Sequence, residues 1–158
     1  MEPYVTHSTF VIEHRYPYPP ERLFSAFADP AKKRRWFAEG DSTDIEHYAM
    51  DFRVGGKESA AYRFRPGTPF PGVALRNEIT YEDIVPNQRV VTTSTMMLGD
   101  HRISTSLVTV EFLPIPQGTE LRFTHQGAFF EGSDGPKMRE GGWRKLFERL
   151  MEELGRQN

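Results

Sequence analysis

The stretch Trp143-Arg144-Lys145-Leu146-Phe147-Glu148-Arg149-Leu150-Met151-Glu152-Glu153-Leu154 decides the architecture. Trp143, Leu146, Phe147, Leu150, Met151 and Leu154 fall at i, i+3, i+4, i+7, i+8 and i+11, a continuous apolar stripe at the helical period. Arg144, Lys145, Glu148, Arg149, Glu152 and Glu153 stand opposite. A helix patterned in this way buries one face against a larger body. Ser133-Asp134 supplies cap chemistry upstream, so the helix is expected over residues 134 to 155. Gly141-Gly142 lies inside it, where each glycine costs about 1 kcal/mol against alanine. Close approach of the helix to a strand is the favoured reason, with room for a ligand at the helix's open end as a compatible second one.

The surface for this helix to lie on is written upstream. Strand-like runs occur at Ile45–Arg53, Glu58–Phe64, Leu75–Ile84, Arg89–Met97, Ile103–Phe112 and Glu120–Gln126. Turn markers separate them: Gly55-Gly56, Pro66-Gly67, Pro86-Asn87, Gly99-Asp100 and Pro116-Gln117-Gly118. A further strand, Phe10–Tyr16, ends at Pro17, Pro19 and Pro20. Pro20 opens a short helix over Glu21–Ala28 with Leu23, Phe24 and Phe27 on one face, and Asp29-Pro30 caps a second that ends near Trp36-Phe37. The fold class is therefore α+β. A curved antiparallel sheet of about seven strands wraps a long C-terminal helix, two short helices follow strand one, and a pocket opens where sheet and helix curve apart. No repeat or linker interrupts residues 1–158, which read as one domain.

Composition narrows the function classes. The chain has no cysteine, which excludes disulfides, thiolate catalysis and cysteine metal sites and suits a reducing cytoplasm, the expected location. A net charge of −2 gives no case for nucleic acid or anionic membrane as partner. Met1 to Thr9 has neither a basic nor an apolar signal region, and no apolar run approaches the ~20 residues of a membrane span. Aromatic residues make up 13%, with twelve phenylalanines, enough ring surface to fill a large core or line a cavity.

Further residues carry a resemblance. Pro-Pro-Glu-Arg-Leu-Phe (19–24) follows strand one, Asp29-Pro30 precedes Trp36-Phe37, and Phe52-Arg53-Val54-Gly55-Gly56-Lys57-Glu58 follows. Then come Tyr81 to Val91 (YEDIVPNQRVV), Arg102 to Phe112 (RISTSLVTVEF), Gly118 to Thr124 (GTELRFT), Gln126 to Gly132 (QGAFFEG) and Gly142-Trp143. In this order and spacing they resemble the START-like (birch-pollen-allergen-like, SRPBCC) superfamily, and within it the group of Hsp-90 ATPase activator homologues, over nearly the whole chain. The resemblance implies a helix-grip fold. Its functions range over lipid and hydrophobe carriers, hormone receptors, aromatase/cyclases and co-chaperone domains. His125 departs from the group, whose members resemble glutamate there, so the resemblance implies that this position bears on ligand choice.

Strand alternation supplies the expected lining. Glu58, Ala60, Tyr62 and Phe64 share one face, as do Val90, Thr92, Ser94 and Met96; Ser106, Val108, Val110 and Phe112; and Leu121, Phe123 and His125. The expected ligand-binding residues are Glu58, Tyr62, Thr92, Ser94, Met96, Ser106, Val108, Phe123 and His125, completed from the helix by Met138 and Trp143. Glu58 is expected to act alone as a polar anchor, with His125 near the sheet's other end. Lys32-Lys33-Arg34-Arg35 reads as a solvated face, and Gly40-Asp41-Ser42 as an ordinary turn rather than a nucleophile motif. Five scattered histidines without ligand spacing point to no metal site, and no cofactor is expected. The expected function is binding of a small hydrophobic or aromatic molecule. The alternatives are a co-chaperone-like interaction domain and a cyclase-, dehydratase- or hydrolase-type enzyme using Glu58 or His125 as acid/base. A protein partner and a homodimer are both left open.

Overall fold

The computed structural model describes residues 4–156. The first residues of the Met1–Thr9 stretch, read above as lacking signal character, lie outside them. Seven strands form one antiparallel sheet in the order β1-β7-β6-β5-β4-β3-β2: β1 Val5–Tyr16, β2 Thr43–Met50, β3 Lys57–Phe64, β4 Ala74–Val85, β5 Arg89–Leu98, β6 His101–Ile115 and β7 Gly118–Phe130. Six strands form a meander, and β1 pairs with the last of them, so β1 and β2 occupy opposite edges. The segment joining them must cross the concave face. It does so as helix α1 (Pro20–Ala28), helix α2 (Pro30–Lys33) and a π-helical turn (Arg34–Ala38).

Local chemistry sets these elements. Pro20 takes the first position of α1, where its missing N–H costs nothing. Asp29 caps α2 by accepting the N–H groups of Ala31 and Lys32. Helix α3, Pro136–Arg156, begins two residues later than its sequence suggests. Asp134 does not cap it but turns to Arg139, while Ser133 accepts the Gly135 N–H and Pro136 opens the helix. Strand β2 stops at Met50, short of the expected Arg53, because the chain turns through Asp51–Gly56.

The apolar stripe of α3 lies on the concave face. Phe147, Leu150 and Leu154 are fully buried with Ile12, Leu23, Leu121 and Phe123. The Tyr16 hydroxyl donates to the Phe147 carbonyl at 2.9 Å, and the Trp36 indole to the Ala26 carbonyl at 2.8 Å, so β1 and the crossing segment are tied to fixed neighbours. Gly141 and Gly142 correct an expectation. A Cβ at either would meet nothing within 4 Å, so neither serves close packing. Gly142 instead borders an open space between α3 and the sheet. Among the described residues no helix is long and apolar enough to cross a membrane.

Candidate functional site

Between the sheet and α3 lie two adjoining chambers, an inner one of about 50 Å³ and an outer one of about 350 Å³ that opens to solvent. Phe37, Asn77 and Trp143 line both and form the partition. Trp143 is held by rings on either side, with centroids 4.5 Å from Phe123 and 5.7 Å from Phe37.

A buried polar cluster closes the inner chamber. Glu58, fully buried, accepts from Lys33 Nζ at 3.0 Å and from the Tyr81 hydroxyl on Oε1, and from the Tyr48 hydroxyl on Oε2 at 2.7 Å. Both tyrosines belong to neighbouring strands, two residues along from the residues facing Glu58, Ile79 on β4 and Met50 on β2. Such diagonal neighbours on one face lie within reach of long side chains. Burial, then the charge and hydrogen bond of Glu58, push both phenols above their ordinary pKa, so they remain donors. Lys33 reaches in from the end of α2 with its ammonium 4.5 Å from the Phe37 ring centroid.

At the outer chamber Arg139 makes paired contacts with Asp134, 2.7 Å each, and a further bond to Ser104 Oγ at 3.0 Å. Burial acts to raise the Asp134 carboxyl's pKa, but the Arg139 hydrogen bond and charge outweigh it and hold the carboxyl below its ordinary value. Tyr62, Met96, Leu146 and Arg149 face the same space. The Asn77 side chain is 8% exposed, lines both chambers, and leaves its carbonyl oxygen without a protein partner.

His125 occupies a third environment. It stacks on Phe10 at 4.6 Å and on Phe129 at 5.9 Å. Its Nδ1 has no partner, and burial followed by the charge of Arg139 lowers its pKa to about 4. Gly127 makes the stack feasible, because a Cβ there would come within 2.8 Å of the Phe129 ring and 2.9 Å of the His125 ring.

The structure brings together most of the residues expected to line a pocket, in two groups. Glu58, Thr92, Ser94, Val108 and Phe123 line the inner chamber, Tyr62, Met96 and Met138 the outer, and Trp143 both. Met138 is 69% exposed at the rim. Ser106 and His125 face inward but line neither chamber. Three expectations need correction. Glu58 does not act alone, since protein donors take both of its oxygens. Lys33 is not part of a solvated face: its side chain is 8% exposed. Residues 33, 36 and 37 share a face at helical spacing, so Lys33 turns inward with Trp36 and Phe37 while Arg34 and Arg35 turn outward to Glu39 and Glu153. Glu58 and His125 have three strands between them across the sheet, but they are not at opposite ends along it. The rung through Glu58, Ile79, Ser94 and Ser106 reaches Gly127, two residues from His125. Gly40 follows the π-helical turn in irregular backbone and Asp41-Ser42 form a bend before β2, with no strand ahead of Ser42 to make it a nucleophile. Asn77, Lys33 and Arg149 are absent from the sequence expectation. Alternation along β4 from Tyr81 and Ile79 is enough to find Asn77. Among the described residues no group of three or more His, Asp or Glu is placed to hold a metal ion.

A seven-stranded sheet gripping a C-terminal helix around an internal cavity defines the helix-grip class. The model of the family described as Activator of Hsp90 ATPase homolog 1-like protein matches residues 17–155, and the chain belongs to that family, within the START-like superfamily. A structure titled as a putative uncharacterized protein from Rhizobium leguminosarum superposes with TM-score 0.91 at 34% identity, covering 99% of this chain and 100% of its own. The Mll3558 protein of Rhizobium loti superposes with TM-score 0.84 at 47% identity, over 95% and 99% of the two chains. An AHSA1-like protein from Aeromonas hydrophila, at 19% identity over 94% and 92% of the chains and TM-score 0.65, shares the fold. No curated protein matches the sequence.

Proposed function

We propose that this protein binds a small hydrophobic or aromatic molecule in the cavity between the sheet and α3. The observation that carries this is Asn77. A buried carboxamide whose oxygen has no protein partner costs about 1–3 kcal/mol, and Asn77 lines both chambers, where a ligand donor that reaches this oxygen would recover that cost. The outer chamber's volume, about 350 Å³, falls in the ~300–1,000 Å³ range of small-molecule sites. Acid-base catalysis draws no support from either candidate, since the Glu58 oxygens accept from protein donors and His125 lines neither chamber.

A thermal-shift screen of hydrophobic and aromatic metabolites tests the proposal. A ligand at a hundred times its Kd adds about 2.7 kcal/mol of stability. Met96→Trp intrudes on the outer chamber and is expected to abolish that shift while the protein stays folded; a shift that survives places binding elsewhere. The family's name favours a second reading, a co-chaperone-like interaction domain. A client protein retained equally by wild type and by Met96→Trp would support that one.

A further inference from the structure

Five charged side chains line the two chambers: Lys33 and Glu58 inside, Asp134, Arg139 and Arg149 outside. Four of them cancel in pairs. Lys33 bonds to Glu58 at 3.0 Å, and Arg139 is clamped by Asp134. Arg149 is left over and forms no ion pair among the described residues. Its one protein hydrogen bond runs from Nη2 to the Arg35 carbonyl at 2.9 Å, which fixes the guanidinium's position and uses one of its five donors. Gly40 lies beside it, and a Cβ there would stand 3.4 Å from Nη1, so a side chain at that position would crowd the remaining donors. Tyr62 faces the same chamber, and its phenol makes no protein hydrogen bond among the described residues. Arg149 and Tyr62 thus both present donors to the outer chamber.

Resting on the binding reading above, we infer that the ligand is an amphipathic monocarboxylate: its carboxylate meets Arg149 and Tyr62 at the mouth, and its aromatic or alkyl body lies against Trp143, Phe37 and Leu146. The net charge of the lining is +1, which one anionic group neutralises. A guanidinium presents its N–H groups in a fork that matches a carboxylate, and a phenol adds a further donor. Asn77 lies at the partition, where the buried end of such a molecule arrives, and its free oxygen favours a hydroxyl or N–H there. Arg139 cannot take the anion's place for Arg149, because Asp134 already occupies its fork.

Matched acids and amides separate charge from shape. Binding of 2-naphthoate and decanoate is compared with that of 2-naphthamide and decanamide by calorimetry, in wild type, Arg149→Gln, Arg149→Lys and Met96→Trp. The wild type is expected to prefer each acid over its amide by at least about tenfold. Arg149→Gln should bring acid and amide within about twofold by weakening the acid, Arg149→Lys should keep part of the preference, and added salt should erode it. Equal binding of acid and amide by wild type, or a preference that persists in Arg149→Gln, overturns the carboxylate inference and leaves the binding reading standing. Binding of neither, or binding indifferent to Met96→Trp, overturns the binding reading and the carboxylate inference with it.

Discussion

Glu58 and Asn77 stand on neighbouring strands, one inward-facing position apart, and they have opposite fates. Glu58 is charged and fully buried, and three protein donors answer it from α2, β2 and β4. Asn77 is neutral, faces the same cavity, and keeps a free acceptor. The charged group costs far more to bury unpaired, by several kcal/mol, so the fold surrounds it with partners, whereas an amide can be left open to a visitor. On the proposed binding reading, the closed end of the cavity is built for stability and the partition for recognition. On that reading a buried polar residue marks a ligand site only where the protein itself has not satisfied it.

The contrast breaks most severely at Lys33. Lys33→Met leaves the Glu58 carboxylate buried without its cation, and urea unfolding is expected to show a loss of about 3–5 kcal/mol. Adding Glu58→Gln should recover part of that loss; strictly additive losses would mean the two residues do not act as a pair.

His125 tests the contrast from the other side, as a buried polar group whose Nδ1 has no partner and which lines neither chamber. Its pKa is lowered from 6.5 to about 4, so between those values the unfolded chain holds a proton that the folded one refuses. Stability therefore falls as pH drops through that window, by about 2 kcal/mol from pH 7 to pH 5. Arg139, the charged group that disfavours a second cation there, remains in place in His125→Phe, which should abolish the dependence. A pH slope unchanged in that variant would assign it to other groups.

The smallest effect belongs to Asn77. Asn77→Ala removes an acceptor that has no protein partner, so the unliganded protein should change by less than about 1 kcal/mol, with some gain possible from the lost desolvation cost. Any ligand found in the thermal-shift screen should bind several-fold more weakly. A large loss of stability with unchanged ligand binding would reverse the roles assigned to Asn77 and Glu58.

Inwardness was legible in the sequence. Alternation along β3, β5, β6 and β7 is a local property, with a period of two, and it places Glu58, Thr92, Ser94, Val108 and Phe123 toward the core without knowledge of the fold. The 33/36/37 spacing carried the same information for Lys33, but four consecutive basic residues suggest solvent more strongly than a face of three suggests burial. The Ser106 and His125 side chains face inward as alternation requires, yet the ring of Phe10 covers His125 from β1, which the pattern of β7 does not reveal.

By itself the sequence determined the period of each element, their order, and which face of each meets the core, because these depend on residues within a few positions of one another. The tertiary structure decided which groups are satisfied. Lys33 and Glu58 are 25 residues apart, and Arg149 meets the Arg35 carbonyl, 114 residues away, only when α3 lies across the sheet, whereas Asp134 answers Arg139 from five residues away. Charge compensation and cavity shape are relations between distant segments, and folding creates both at once.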